Sequence, residues 1–377
     1  MNALAIPLVV MIGLMLFELW VLKNFRGQVI PWVDVIFNLN SGHILMWLFR
    51  GVEIACFAWV LNYFSFDLFS SVSPWVCWVF TFFAWDFCFY WLHRLHHQWR
   101  FLWAIHEVHH QGEHYNLSLG IRNSWYSSLS SIPFFTILAV MGVPLEIFIT
   151  VSSIHYAVQF YNHNDVVGHS GILERFMITP AHHRIHHGAN KQYINTNYGG
   201  TFLWWDKLFG SFQPELTEVS IVYGVPKTTK TNNPFWASNL PFFRFLRLKE
   251  PNIKPGKVFP VSIKLLATGG VLLFGIVLYY IHHEGTWEQK WHQPILFTLI
   301  LSATLTLGAI SDGKVWGWLG WIAIGLLLAF CGLFYLPVVD IFGVLLFSTL
   351  LLHTFLSFGY VIRNNGKGIE ASSLSED

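Results

Sequence analysis

The stretch Trp85–His110, WDFCFYWLHRLHHQWRFLWAIHEVHH, decides the fold. It begins inside an apolar run of about 20 residues, the length that a membrane-spanning helix needs. It then leaves that run through two groups of histidines, at 93–97 and 106–110. Side chains three or four residues apart share one face of a helix. The stretch therefore predicts helices that carry histidines at the end of a membrane span.

The composition of the whole chain agrees with a membrane protein. Of its 377 residues, 54% are hydrophobic and only 11% are charged, whereas a soluble domain carries roughly 25% charge. The 35 Phe and 19 Trp fit a chain that is largely solvated by lipid. The net charge of +1 and the lack of any run of Lys or Arg exclude a nucleic-acid-binding protein and a disordered one.

Apolar runs predict an all-α integral membrane protein with about nine spans, of which one Pro- and Gly-punctuated pair is alternatively a re-entrant hairpin. The runs are 4–22, 44–64, 73–92, the punctuated pair 125–141 and 143–162, and then 261–281, 294–310, 315–333 and 337–360. We interpret the first run as an anchor rather than a signal peptide, because it lacks a basic start and a cleavage site.

The distribution of charge predicts the orientation and the domains. Nine spans place nearly every Lys and Arg on the side of the histidines, which the positive-inside rule makes cytoplasmic. The histidine clusters at 93–110 and 163–187 then form one cytoplasmic cap. We expect residues 1–260 to form the catalytic membrane domain and residues 261–377 to form a four-span transmembrane bundle.

Histidine is the chemical signal of the chain. Of 19 histidines, 14 lie between His93 and His187. Helical spacing predicts convergence of two, three and three imidazoles from three helices: His93 with His97; His106 with His109 and His110; and His183 with His186 and His187. Eight nitrogen ligands suit a pair of metal ions, and imidazole fits iron, zinc, copper or nickel.

The four cysteines are not expected to bind the metal, and two other classes of function are disfavoured. All four lie in apolar stretches without a CxxC motif, which favours packing over metal binding. The segment His106-Glu107-Val-His109-His110 also fits the H-E-x-x-H motif of a zinc metalloprotease, but that function leaves the other clusters unexplained. A metal transporter requires ligands along a path through the membrane, whereas these crowd one face.

The pattern HxxxH, HxxHH, HxxHH between spans resembles the fatty acid hydroxylase/sterol desaturase superfamily of membrane di-iron oxygenases. The similarity continues through Glu113–Ser118 (EHYNLS), Thr179–Gly188 (TPAHHRIHHG), Asn197–Gly200 (NYGG) and Trp205–Gly210 (WDKLFG). Within the superfamily, the chain is most similar to the alkylglycerol monooxygenases, including Val222-Tyr-Gly. The similarity covers about residues 80–225.

The resemblance implies an O2-dependent oxidoreductase that hydroxylates or desaturates a C–H bond of a membrane lipid with two iron ions. Ether-lipid cleavage is the leading expectation, and a sterol, fatty acyl or other lipid is the alternative substrate. His163 is either an additional ligand or an interfacial histidine, and the motif match gives the remaining ligands as His93, His97, His106, His109, His110, His183, His186 and His187. No oligomeric state follows from the sequence.

Four polar residues are candidates for support of the metal ligands. Asp86 lies two turns before His93 at membrane depth, where a carboxylate usually has a partner, and we expect it to orient a ligand imidazole. Asp206 follows the strand-like run 201–205 and either does the same or caps a turn. Glu107 orients a neighbour or faces water, and Asn116 contacts a lipid headgroup or a helix end.

The electron donor is expected to be external. No GxGxxG motif follows a strand, and no haem-attachment motif is present. An oxygenase of this kind needs two electrons per turnover, so a reduced pterin, a ferredoxin or a cytochrome is implied as a partner.

Overall fold

The computed structural model of the protein describes residues 5–253, 257–284, 287, 289, 291–336, 340–365 and 369–370. Most of these residues are helical, as the apolar runs predict. The helices are α1 (Ala5–Phe25), α2 (Trp32–Asn40), α3 (His43–Phe64), α4 (Pro74–Gln98), α5 (Arg100–His110), α6 (Ser127–Val140), α7 (Leu145–Asn162), α8 (Pro180–His186), α9 (Trp204–Leu208), α10 (Pro234–Phe245), α11 (Ile263–His283), α12 (His292–Ser311), α13 (Val315–Phe330) and α14 (Ile341–Asn364).

Seven segments of the described chain are long and apolar enough to cross a membrane. Each of the nine predicted runs consists mainly of helix, with non-helical residues only at the ends of some runs; residues 4 and 337–339 lie outside the described residues. The pair α6 and α7 is not among the seven, because α6 has only 14 residues and α7, with 18 residues, is not apolar enough. Nine crossings are therefore not confirmed, and the alternative of a re-entrant hairpin for this pair stays a prediction. The sequence did not predict α2, which has nine residues.

The 14 histidines from His93 to His187 lie in a compact unit built from residues 15–29 and 46–228. Its core lies between α4, α6 and α7, where Trp85 stacks on Phe135 with ring centroids 4.7 Å apart. The Trp85 indole N–H donates to Ser152 Oγ at 2.9 Å, which satisfies the polar atom of a fully buried ring. This packing fixes α4, whose last two turns carry the first histidines.

The turn between α6 and α7 requires glycine. Gly142 has a φ of 92°, and a Cβ at this position would lie 2.8 Å from the Cα of Asp67. Only glycine combines this backbone conformation with so close an approach. The turn therefore packs directly on the loop between α3 and α4.

The second compact unit is formed by the described parts of residues 1–14, 30–45 and 229–377. Here α11, α12, α13 and α14 pack on one another, and α2 packs on α11. The N-terminal ends of α11 and α14 are capped by side chains, because Ser262 Oγ accepts the Leu265 N–H and Asp340 Oδ1 accepts the Gly343 N–H. The predicted boundary at residue 260 stays a prediction.

Strand structure in the described chain is minimal. The two-residue strands β1 (Lys257–Val258) and β2 (Ile369–Glu370) pair in an antiparallel manner. The strand-like interpretation of residues 201–205 is wrong: Phe202 forms a single bridge with Met177, and α9 begins at Trp204.

Candidate metal centre

Four segments of the chain supply the nine predicted histidines. The last two turns of α4 carry His93 and His97. One residue, Trp99, separates α4 from α5, and its extended backbone turns the chain so that the α5 histidines lie beside those of α4. His163 follows the last residue of α7, and the remaining histidines lie on α8 or directly after it.

The nine side chains form two groups in which all potential ligand nitrogens lie within 4.8 Å of one another. The first group contains His93, His97, His106, His110 and His186. The second contains His109, His163, His183 and His187. Both α5 and α8 contribute to both groups, so the two groups adjoin: the rings of His110 and His187 lie 4.4 Å apart.

The distances between nitrogens are short and uniform. In the first group, Nε2 of His106 lies 3.1 Å from Nε2 of His93 and 3.2 Å from that of His110. In the second, Nε2 of His163 lies 3.1–3.2 Å from the Nε2 atoms of His183 and His187. Two ligand nitrogens at right angles, each about 2.1 Å from one ion, are about 3 Å apart. The spacing therefore fits imidazoles arranged around a common ion.

Main-chain carbonyls orient four of the rings. Nδ1–H of His93 donates to the Tyr198 carbonyl at 2.8 Å, and that of His186 donates to Thr196 at 2.9 Å. In the second group, Nδ1–H of His109 donates to the Arg122 carbonyl at 2.9 Å, and Nδ1–H of His163 donates to Gln159 at 2.8 Å. A hydrogen bond at one ring nitrogen fixes the tautomer and leaves the other nitrogen free to bind a metal.

The contact between His109 and His163 fits a bound cation. Both rings carry their proton on Nδ1, which faces a carbonyl, so both Nε2 atoms are acceptors. These two atoms nevertheless lie 3.2 Å apart in a buried site. Two lone pairs that face each other without a donor repel, and a bound cation removes this repulsion. In the first group, Nε2 of His97 and of His186 are buried without a hydrogen-bond partner, which also fits a metal site.

Electrostatics keep these rings neutral. Burial, with repulsion from Arg122, lowers the pKa of His109 to about 4. Burial, followed by repulsion between neighbouring histidines, lowers the pKa well below 6.5 for His106, His110, His163, His183, His186 and His187. Neutral imidazole is the form that binds metal, so the site offers its lone pairs at neutral pH.

Neither predicted aspartate shares a described hydrogen bond with the nine rings. Asp86 accepts the backbone N–H groups of Thr201 and Phe202 and the indole N–H of Trp205. Asp206 accepts the N–H groups of Tyr198 and Gly199 at 2.7 and 2.8 Å, and burial raises its pKa. Both carboxylates therefore fix the loop 198–205, whose Tyr198 carbonyl orients His93. Their support of the metal site is indirect and stays a prediction.

Glu107 and Asn116 do not belong to either of the two histidine groups. The buried Glu107 carboxylate accepts the side-chain amide of Gln111 at 3.1 Å. Asn116 caps the 3₁₀ turn Leu117–Ile121 by accepting the Ser118 N–H and hydroxyl. That turn leads to the Arg122 carbonyl, which holds His109.

Histidines that the motif excludes have other partners. His96 contacts Ser130 Oγ at 2.9 Å. His155 contacts Thr201 Oγ1 at 2.6 Å and packs against Phe82 and Trp85. His169 lies near Glu174 with 75% of its side chain exposed.

Sequence reasoning missed the parts of the site that are main chain. The carbonyls of Arg122, Gln159, Thr196 and Tyr198 carry no side-chain signal that could have identified them. It also missed Glu18, a buried carboxylate in α1 that accepts the N–H groups of Leu117 and Asp165. The signal for Glu18 was present, because a carboxylate inside an apolar run usually has a partner.

Fold and site together define a multi-pass helical membrane protein with a buried, two-part polyhistidine site. Residues 78–211 match the model of the fatty acid hydroxylase family, so the resemblance predicted from the histidine motifs is confirmed. No solved structure matches the chain.

Curated relatives carry the same signal. The chain is 35% identical to alkylglycerol monooxygenase of Homo sapiens over 65% of this chain and 59% of the relative. It is 33% identical to alkylglycerol monooxygenase of Xenopus tropicalis over 59% of this chain and 50% of the relative. An ornithine lipid hydroxylase of Rhizobium tropici is 31% identical over 38% of this chain and 44% of the relative.

The similarity to these relatives covers only part of their length. The chain spans only about half to three fifths of the length of the alkylglycerol monooxygenases. The names of the relatives, monooxygenase and hydroxylase, denote oxidoreductases, which agrees with the predicted enzyme class.

Proposed function

We propose that the protein is a membrane-bound, O2-dependent lipid monooxygenase whose nine grouped histidines hold two iron ions. The observation that carries the proposal is the pair of facing acceptors on His109 and His163 within a two-part histidine site. Ligands from both groups share α5 and α8, so a pair of adjoining ions is favoured over separate sites. The bound irons would supply the activation of O2 that oxidation of an alkyl C–H bond needs.

The residues of the chain position and protect this chemistry. The carbonyls of Tyr198, Arg122, Gln159 and Thr196 hold four rings in one tautomer, so that their lone pairs point inward. The site histidines are buried apart from the half-buried His97 and His106, which limits the access of water. No side chain is required as a nucleophile, since the protein's contribution is binding, orientation and exclusion of competing reactions.

The leading substrate is an ether lipid, because two relatives are named alkylglycerol monooxygenase. O2, two electrons and two protons convert the CH2 group next to the ether oxygen to a hydroxylated carbon and water. The resulting hemiacetal breaks its C–O bond to give an aldehyde and a free glycerol hydroxyl. Hydroxylation or desaturation of a sterol, fatty acyl or other lipid is the alternative, supported by the ornithine lipid hydroxylase.

The two electrons come from an external donor, for which a reduced pterin, a ferredoxin and a cytochrome are the candidates. We further propose that the histidine face is cytoplasmic, on the distribution of basic residues. The zinc-protease alternative needs His106, Glu107, His110 and one further ligand. It assigns no role to the four-histidine group, so the dinuclear proposal accounts for more of the site.

The proposal is tested with the purified protein in lipid nanodiscs, loaded with iron and supplied with a reduced pterin or a reduced ferredoxin. The substrates are an alkylglycerol, a sterol and a fatty acyl lipid. Aldehyde is expected from the alkylglycerol in the presence of O2 and none in its absence. The His187→Ala variant is expected to be inactive, and His169→Ala, which changes an exposed histidine, is the active control.

Other outcomes identify the alternatives. A hydroxylated or desaturated sterol or acyl lipid without aldehyde would replace ether cleavage by the alternative substrate. Peptide cleavage that needs no O2 and depends on Glu107 would overturn the oxygenase and support the zinc protease.

A further inference from the structure

An exposed apolar edge lies next to the histidine site, on two segments that the sequence places in a polar cap. We call it the apolar edge: Ile172, Leu173, Phe176, Trp204 and Leu208. Exposed fractions range from 41% at Trp204 to 69% at Ile172 and Leu208. Contiguous exposed apolar surface of this kind marks an interaction site rather than a surface in water.

The two segments of the edge are fixed to each other. The Leu203 N–H donates to the Phe176 carbonyl at 2.9 Å, and Met177 forms a bridge with Phe202. Lys207 Nζ donates to the Arg175 carbonyl at 3.1 Å. The edge is therefore one ordered surface.

The edge packs along the middle of α4. Phe202 and Trp204 stack on Phe83 with ring centroids 5.2 and 5.9 Å apart. At a rise of 1.5 Å per residue, Phe83 lies about 14 Å from Pro74 and about 22 Å from Gln98 along the helix axis. The 25 residues of α4 measure about 37 Å, only slightly more than the roughly 30 Å of a hydrocarbon core.

This length fixes the depth of the edge. If α4 crosses the bilayer, only about 7 Å of it can protrude. Phe83 then lies inside the hydrocarbon for every placement of α4, and Trp204, stacked on it, lies at a similar depth. Phe83 and Phe87 are themselves 37% and 38% exposed, so the lipid-facing surface of α4 continues into the edge.

The irregular backbone beside the edge has its hydrogen bonds satisfied by protein groups, as a position inside the hydrocarbon requires. Non-helical backbone is tolerated within the hydrocarbon only where protein groups satisfy its hydrogen bonds. Asp86 accepts the N–H groups of Thr201 and Phe202, and Asp206 accepts those of Tyr198 and Gly199. This explains two buried carboxylates that share no described hydrogen bond with the site histidines.

We propose that the apolar edge is immersed in lipid, so that residues 171–177 and 203–209 form a re-entrant, membrane-embedded element beside the histidine site. The occupant of the surface is the acyl-chain region of the bilayer. The exposed Arg175 and Lys207 flank the edge, and the Arg175 carbonyl accepts a hydrogen bond from Lys207 Nζ. Long basic side chains beside apolar groups place their charge at the headgroup level while their stems stay in the hydrocarbon. The proposal holds whichever reaction the site performs.

The first test uses the unmodified protein in phosphatidylcholine nanodiscs whose lipids carry a photoreactive diazirine in the acyl tail. Illumination followed by mass spectrometry is expected to find lipid adducts on peptides that contain residues 171–177 and 203–209. The peptide around Ile194 is the control, because this side chain is 54% exposed but lies between the polar residues Lys191 and Asn195. Adducts on the α4 peptide and none on the edge peptides would overturn the proposal.

The second test measures access of water. Cysteines at 172, 208 and 194 are introduced as Ile172→Cys, Leu208→Cys and Ile194→Cys in a background without the four native cysteines. A membrane-impermeant maleimide is expected to label the first two at least tenfold more slowly than the third in nanodiscs, and all three equally in denaturing detergent. Equal rates at the three positions in nanodiscs, whether fast or slow, would overturn the proposal.

Discussion

Buried histidines occur in both compact units of the molecule, but they are used in different ways. In the C-terminal bundle, His353 accepts the Trp321 indole N–H at Nδ1 and donates from Nε2 to the Leu265 carbonyl. In the histidine site, His109 and His163 donate from Nδ1 to carbonyls, but their Nε2 atoms face each other. Burial alone therefore does not identify a ligand.

The difference between the two units is the use of the second ring nitrogen. His353 has both ring nitrogens satisfied within the fold. His109 and His163 each have one satisfied nitrogen and one that faces another acceptor. The following predictions test this distinction, from the largest expected effect to the smallest.

The largest effect is expected for His163→Ala. Its Nε2 lies 3.1–3.2 Å from three other histidines, His109, His183 and His187. Loss of this ring is expected to lower O2-dependent activity more than about 100-fold, beyond the loss typical of residues that only support a ligand. Metal analysis of the purified variant should show at least one ion fewer per chain, while His169→Ala keeps the full content. Full metal content in His163→Ala would make His163 an interfacial histidine.

Removal of the metal is expected to make stability depend on pH. The pKa of His109 is lowered to about 4, and those of His110, His163 and His187 lie well below 6.5. Above about pH 6.5 these groups are neutral in both folded and unfolded chains and contribute no pH dependence. Below pH 6.5 the unfolded chain binds protons that the folded chain does not bind. Each such histidine therefore lowers the free energy of unfolding by about 1.4 kcal/mol per pH unit.

The measurement is thermal unfolding of chelator-treated and metal-loaded protein between pH 7.5 and 5.5. The Tm of the chelated protein should fall steeply below pH 6.5, and that of the loaded protein should hold to a lower pH, since bound metal competes with protons. Identical pH profiles for the two forms would argue against metal binding by these rings.

A smaller effect is expected for Asp206→Asn. The amide cannot accept both the Tyr198 and the Gly199 N–H groups, so at least one buried donor loses its partner, at a cost of about 1–3 kcal/mol. The displaced Tyr198 carbonyl then holds His93 less well, and metal affinity should fall about 10- to 100-fold. Asp67→Asn, in an exposed loop, is the matched control. Unchanged metal affinity in Asp206→Asn would limit this carboxylate to a role in folding.

The smallest effect on the site is expected for His353→Phe. The variant removes the acceptor of the Trp321 N–H and the donor to Leu265, which should cost about 1–3 kcal/mol of stability for the buried groups left without a partner. Metal content and activity should stay at the wild-type level. A loss of metal in this variant would break the distinction between the two units.

The helices and the histidine clusters were predictable because they follow from local periodicity. Spacing of three and four residues identified His106, His109 and His110 as neighbours. It could not predict that His109 separates from the other two to join His163, since this depends on how α5 meets α7 and α8. His163 stands alone in the sequence, so spacing gave it no partner.

The loop that follows the third cluster was the least predictable part. Residues 201–205 alternate poorly and were interpreted as strand-like, whereas the loop takes its shape from buried contacts. Asn195 and Asn197 have positive φ values of 64° and 55°, and Asp86 reaches the loop from α4. Contacts across more than a hundred residues leave no local pattern, so Asp86 was expected to orient an imidazole, and Asp206 either to do the same or to cap a turn.

The most direct test of the central claim is the metal content of the detergent-purified protein. Wild type is compared with His110→Ala from the five-histidine group, His187→Ala from the four-histidine group and the exposed control His169→Ala. We predict two iron ions per chain in the wild type and the control, and loss of iron in each of the two site variants. A single zinc ion per chain that is retained in His187→Ala would contradict the dinuclear oxygenase.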